Sequence, residues 1–288
     1  LAKQDPNGNP TNGIDRVNMC QSSWPEDGIE ETVKPSTIWD STQYMNMWTV
    51  KFTRNDLLGY AQFPNSSGLD GLETSGGAAN TDGVVSSYDV FGSNELGAGF
   101  LLASPYDKGR TMTHEVGHFL GLLHIWGDAT CGDDYCADTP IHHKANYGCP
   151  STIPSSCDIP AVNEMIQNYM DYTNDACMNI FTQNQKDRIL TVMTNSPRRS
   201  SLKTSTKGSP LALFANDAEV KIEAGNCFVD TQTAPCIAPP SSNKQVLLYN
   251  RGIDPLTSVT LNYTINGGTN KTQNWTGTLA QDKSTYIT

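Results

Sequence analysis

His114, Glu115 and His118 stand in the order H-E-x-x-H, and His124 follows six residues after His118. On a helix, positions four apart lie one turn apart on the same face, so His114 and His118 can share one zinc ion. Glu115 then lies beside that metal as a candidate general base. A continuous helix would carry His124 roughly 9 Å further along and well off the shared face, at ~100° per residue. His124 reaches the same ion only if the chain turns sharply. Gly121 stands where the turn is needed, and glycine takes a positive φ without a Cβ penalty. Val116, Phe119, Leu120 and Leu123 would form the apolar side of this helix, and an amphipathic helix with solvated histidines would account for them alone. Three of the chain's five histidines in this register favour the metal. Three neutral imidazoles leave a fourth zinc position open for water, whose pKa the metal lowers to ~7. That is the chemistry of hydrolysis, with Glu115 moving the proton.

The whole chain sets bounds on this chemistry. Its 288 residues allow one large or two ordinary domains. With 30 acidic and 19 basic residues, the net charge of −11 disfavours nucleic acid and anionic membrane as partners and favours cationic peptides or bound cations. No apolar run approaches the ~20 residues that span a bilayer. The chain starts at Leu1 without the layout of a signal peptide, so a processed or truncated form is expected. Eight cysteines, five of them between 131 and 177 and none in C-x-x-C spacing, fit a secreted or cell-surface protein. A monomer is expected. Sequons at Asn65, Asn262, Asn270 and Asn274 imply glycans only in a eukaryotic source.

The elements that must position the histidines read as follows. Residues 1–36 suggest turns and short extended pieces, and residues 39–44 a short helix. Residues 45–53, 57–64 and 82–91 read as strands. The motif helix is expected over residues 106–120. Strands followed by one long helix suggest an α/β upper lobe packed on that helix. Residues 127–165 lack periodicity, and a loop this long needs staples. It contains Cys131, Cys136, Cys149 and Cys157, with Asp128, Asp133, Asp134 and Asp138, so disulfides and a hard cation such as calcium could order it. A helix from about Thr182 to Asn195 has Thr182 as a plausible N-cap. The polar, basic stretch 197–210 has the composition of a linker. Beyond it, 245–249, 258–265, 273–279 and 284–288 alternate as strands of a small β-sandwich, where Cys227 and Cys236 are expected to pair.

The motif, its continuation Ile125-Trp126-Gly127-Asp128, the later Asp138-Thr139-Pro140, and Asn168-Tyr169-Met170-Asp171-Tyr172 before Cys177-Met178-Asn179 resemble the pappalysin family of metzincins. The resemblance covers roughly residues 1–195. It implies an α+β, two-lobed metzincin-type zinc protease domain over 1–196, with the upper lobe about 1–121 and the lower about 122–196. The resemblance says little about the linker (197–210) and small all-β domain (211–288) read from composition and alternation. It further implies a zinc endopeptidase acting on protein or peptide substrates, with His114, His118 and His124 as ligands of one Zn2+ and Glu115 as base and acid. Met170 would be the Met-turn methionine beneath the metal, and Tyr172 would help hold the tetrahedral intermediate. The loop carrying Asp133, Asp134, Asp138 and Thr139 would bind one or two Ca2+ ions. Asp175 falls in the register of the acidic residue at the base of the S1′ pocket in trypsin-like members, which implies cleavage before Arg and, less efficiently, Lys. Two disulfides are implied, Cys149–Cys177 and Cys157 with a cysteine in 131–136. Six cysteines in the catalytic part allow fifteen pairings, and the leftover one could bond Cys20. His142 and His143 fit no pattern and read as surface residues near the cleft.

Two other readings compete. One is an idle, adhesive module with a structural zinc, although Glu115 is intact and a structural zinc needs a fourth protein ligand. The other is a zinc amidase acting on non-protein amides.

Overall fold

The computed structural model describes residues 1–17, 19–72, 76–222 and 246–287. Contacts divide the chain into two units, Ser22–Ser205 and a second one that joins Leu1–Gln21 to Thr206–Thr288. These boundaries differ from those read from composition: the first 21 residues group with the C-terminal strands, and 197–205 belong with the motif.

The first unit carries a three-stranded sheet of β1 (Asn46–Val50), β2 (Gly59–Ala61) and β3 (Gly83–Ser87), in the order β1-β3-β2. β1 runs parallel and β2 antiparallel to the central β3. All five residues of β3 are buried, as expected for the middle strand of a covered sheet. β2 is an edge. Leu58 O accepts Ser87 N–H and Gln62 N–H donates to Gly83 O, so by antiparallel alternation the main-chain groups of Gly59 and Ala61 point away from β3.

Two expectations near the N-terminus fail. Residues 26–37 are helical, as Glu26–Gly28, a π-helical turn Ile29–Val33, and Lys34–Thr37. Acidic Glu26 and Asp27 suit the helix start, and Ile29 and Val33, four apart, are both buried. Residues 39–44 form a turn instead of a helix, because Asp40 accepts the Thr42 N–H through its side chain and the Gln43 and Tyr44 N–H groups through its carbonyl.

The motif helix spans Arg110–Phe119 and begins after Gly109, at φ +76°. The long loop beyond it is tied down by a two-residue parallel pairing of β4 (Tyr147–Gly148) with β5 (Tyr172–Thr173) and by disulfides Cys131–Cys157 and Cys149–Cys177. Cys131 is the cysteine that takes Cys157, and the leftover Cys136 is buried and free, so it does not bond Cys20 as the sequence allowed. Cys20 is itself disulfide-bonded. The expected Cys227–Cys236 pair lies outside the described residues. Helix Gln183–Asn195 opens with the expected Thr182 cap, completed as a capping box by Gln185.

In the second unit β6 (Ala218–Ile222), β7 (Val246–Asn250) and β10 (Ser284–Ile287) form one antiparallel sheet, and β8 (Leu256–Tyr263) pairs with β9 (Lys271–Leu279) in another. Leu248 and Ile287 from the first sheet share a cluster with Leu256 and Leu279 from the second. Among the described residues no helix is long and apolar enough to cross a membrane.

Candidate active site

The turn that brings His124 back is a Schellman motif. Gly121 N–H donates to His118 O at 2.9 Å and Leu122 N–H to Gly117 O at 2.9 Å, with Gly121 at φ +89°. A side chain at Gly121 would also meet Val192 Cγ2 at 2.6 Å, so conformation and close approach both require glycine there. The chain then runs through Ile125, whose N–H donates to Met170 O at 3.1 Å. The Trp126 ring stacks on His124, 4.3 Å between centroids and 8° from parallel.

The three imidazoles converge. His118 Nε2 lies 3.0 Å from His114 Nε2 and 3.1 Å from His124 Nε2. Each Nδ1 faces an acceptor: Tyr169 O at 2.7 Å for His114, Leu122 O at 2.8 Å for His118, and Asp128 Oδ1 at 2.6 Å for His124. An acceptor at Nδ1 holds the proton there, which leaves the lone pair on Nε2. Burial drives His118 down to about 3 and His114 well below its usual range, keeping both rings neutral. Three lone pairs aimed at one point repel each other unless a cation lies between them. Tetrahedral zinc separates its nitrogen ligands by roughly 3.3 Å. The residues therefore fit a zinc ion.

Glu115 is buried, takes no hydrogen bond among the described residues, and is pushed up to about 8 by desolvation. Its side chain lies against Gly59 of the edge strand, where a Cβ would meet Glu115 Oε1 at 3.0 Å and Val85 O at 2.8 Å. Tyr172 Oη lies 3.0 Å from His124 Nε2. Burial, with Glu115 and Asp128 adding repulsion, pushes its hydroxyl up to about 12, so it remains a donor. Met170 is fully buried beneath the helix, and a Cβ on Gly117 would sit 2.5 Å from its sulfur. Asn168 Oδ1 accepts the Met170 N–H, and the Asn168 amide pairs with Gln185, the same residue that completes the capping box.

Both ends of the motif helix are held from outside. Asp175, 2% exposed, accepts Lys108 N–H at 2.7 Å and Arg110 N–H at 3.1 Å on Oδ2. Burial raises its pKa, and those bonds together with the Arg110 charge oppose the rise. At the other end Arg199 Nε donates to Phe119 O at 2.8 Å, and Arg188 Nη2 to Gly121 O at 3.3 Å. The Arg199 guanidinium lies on the Phe119 ring and shares Asp82 with Arg198.

The acidic residues of the loop are not drawn to one point. Asp133 accepts Tyr135 N–H, Asp138 accepts Asn184 N–H, and Asp134 Oδ1 accepts Cys136 N–H, with Thr139 Oγ1 at 2.8 Å. Asp134 Oδ2 is buried without a hydrogen-bond partner among the described residues, and burial lifts this carboxyl to about 6. Among the described residues, the metal-type groups with ligand atoms within 4.8 Å of one another are the three histidines and a set made of the Cys131–Cys157 disulfide with His143.

Several contributors escaped the sequence reading. Asp128 belongs to His124, a pairing that its i,i+4 spacing could have suggested. Gly59 carried no signal. His142 is wholly buried, not a surface residue: its Nε2 accepts Met165 N–H at 2.8 Å. His143, about half exposed, has Nδ1 3.2 Å from Glu164 Oε1.

Fold and site together define a mixed α+β domain around an open three-histidine metal centre. The model of the peptidase M43 family, pregnancy-associated plasma protein-A, matches residues 27–194, and the chain belongs to that family. Mature mirolysin of Tannerella forsythia, solved in complex with a cleaved peptide, is 41% identical with a TM-score of 0.59, over 70% of this chain and 73% of that one. Mirolysin in complex with a compound gives 39% and 0.60, over 73% and 76%. An extracellular metalloprotease of Sordaria macrospora is 35% identical over 169 residues, 58% of this chain and 54% of the relative. The chain thus spans about half the length of that relative.

Proposed function

We propose that this chain is a secreted zinc endopeptidase. The observation that carries the reading is the convergence of three imidazole Nε2 atoms, each with an acceptor at its Nδ1, beside a buried carboxylate that takes no hydrogen bond among the described residues. Held by His114, His118 and His124, zinc would supply Lewis acidity, polarising a peptide carbonyl and acidifying water. Glu115 takes a proton from the attacking water and hands it to the leaving amine, and its desolvated setting strengthens its hold on that proton. Tyr172 Oη donates to the oxyanion that develops on the substrate carbonyl. The outward main-chain groups of Gly59 and Ala61 offer an extended peptide a β-type partner along the edge that touches Glu115. The disulfides Cys131–Cys157 and Cys149–Cys177 and the similarity to extracellular metalloproteases support secretion. A structural zinc would need a fourth protein ligand, and the histidine cluster has three members among the described residues.

Asp175 is assigned to the S1′ pocket, with cleavage before Arg and less efficiently Lys. Its support is a desolvated carboxylate whose Oδ1 takes no hydrogen bond among the described residues. An arginine fork suits such an acceptor, and charged hydrogen bonds contribute about 1.5–3 kcal/mol each. Mass spectrometry of a digested proteome is expected to give cuts before Arg at least about tenfold above cuts before neutral residues. Asp175→Asn keeps an acceptor for the helix start but removes the charge, and should abolish that bias. Cuts followed mainly by apolar residues, or the same profile in the variant, would remove the assignment.

Calcium is proposed for the loop of Asp133, Asp134, Asp138 and Thr139, supported by the buried, unpartnered Asp134 Oδ2. Added calcium should raise the melting temperature of the zinc-loaded protein, and less so in Asp134→Asn. No calcium-dependent change in melting would dispose of it. The C-terminal strands are read as a β-sandwich-like accessory module, supported by the cluster shared between their two sheets. An experimental structure with those sheets apart would end that reading.

A further inference from the structure

We propose that Tyr147 is a specificity-determining residue, an aromatic platform for a large apolar or aromatic side chain of the peptide within two residues of the cut bond. The inference rests on the peptidase reading above.

The backbone on each side of Tyr147 is fixed. Asn146 is buried; its N–H donates to Asp171 Oδ1 at 2.8 Å and its amide to Asp171 Oδ2 at 3.0 Å and Glu164 Oε2 at 2.8 Å. Gly148 O accepts Asn174 N–H at 2.9 Å, and Tyr147 stands opposite Tyr172 in the β4–β5 pairing. Asp171 Oδ1 also accepts the Tyr172 N–H at 2.9 Å. One buried carboxylate therefore sets the backbone position of both tyrosines. Behind it, His142 turns Nδ1 toward Glu164 and Asp171, 3.7 Å from each.

The fold itself makes little use of the ring on this mount. Tyr147 is 68% exposed, and its hydroxyl takes no hydrogen bond among the described residues. The ring lies 5.9 Å from that of Tyr172, which lies 4.9 Å from His124. The three rings lead in sequence from the metal centre to solvent. A tyrosine required for packing would be covered. An exposed ring on a fixed backbone, 5.9 Å from the tyrosine proposed to act at the metal, offers a stacking face next to the site with few torsions to order.

The test uses the zinc-loaded full chain and two peptide sets that keep arginine directly after the cut and differ only in carrying phenylalanine or glycine at each other position within two residues of it. Wild type should prefer phenylalanine at one of these positions. Tyr147→Ala should lower kcat/KM about three- to tenfold on the preferred set, mainly through KM, and leave the glycine set unchanged. Tyr147→Phe should keep the preference. Because the ring is exposed, zinc content and melting temperature should stay at wild-type values in both variants. Equal losses on the two sets, or an unaltered preference in Tyr147→Ala, would overturn the proposal while leaving the peptidase reading standing. Failure of the wild type to cut any peptide would overturn both.

Discussion

Glu115→Ala is expected to retain zinc and fold normally while losing about 10²-fold or more in peptide hydrolysis. Glu115 is not among the three converging ligands, so metal content should not change. Nor does the side chain hold the fold together. It is buried, takes no hydrogen bond among the described residues, and is raised to about 8 by desolvation alone. Burying such a group costs free energy that packing does not return. Its removal should therefore leave the melting temperature unchanged or slightly higher, the usual trade between stability and activity at a functional site. The loss should fall on kcat, because the proton transfer exists only on the way to the transition state. Full zinc with near-normal turnover in this variant would contradict the assigned role. A parallel loss of zinc and melting temperature would instead make Glu115 a structural residue.

The centre of the site was legible because its geometry is local. Spacing of four places His114 and His118 together, and Gly121 carries the one backbone conformation that returns the chain to bring in His124. Thr182 and Gln185 likewise announce their helix through a local capping box. What failed to show is non-local. Arg199 lies 117 positions from Asp82 and 80 from Phe119, and its neighbours in sequence have the polar composition of a linker. His142 looks like a surface histidine until Met165, Glu164 and Asp171 close around it. Asp175 was legible as an acidic residue after the methionine, but not as the acceptor for the first turn of the motif helix. The helix over 26–37 was hidden for a different reason. Its segments are short and interrupted by a π-helical turn and by Pro35, so no clean 3.6-residue period survives.

Peptide hydrolysis should depend on a zinc ion held by the three histidines. The most direct measurement strips the metal with a strong chelator, removes the chelator, and follows casein cleavage while zinc is returned. Among the described residues, the lone pairs on the three Nε2 atoms have no proton to share apart from the one Tyr172 can offer His124. The stripped site should therefore rebind zinc readily. The stripped protein should show no detectable cleavage, and recovery should saturate at about one zinc per chain. Cleavage that survives complete removal of zinc, or recovery that does not track zinc bound, would contradict that dependence.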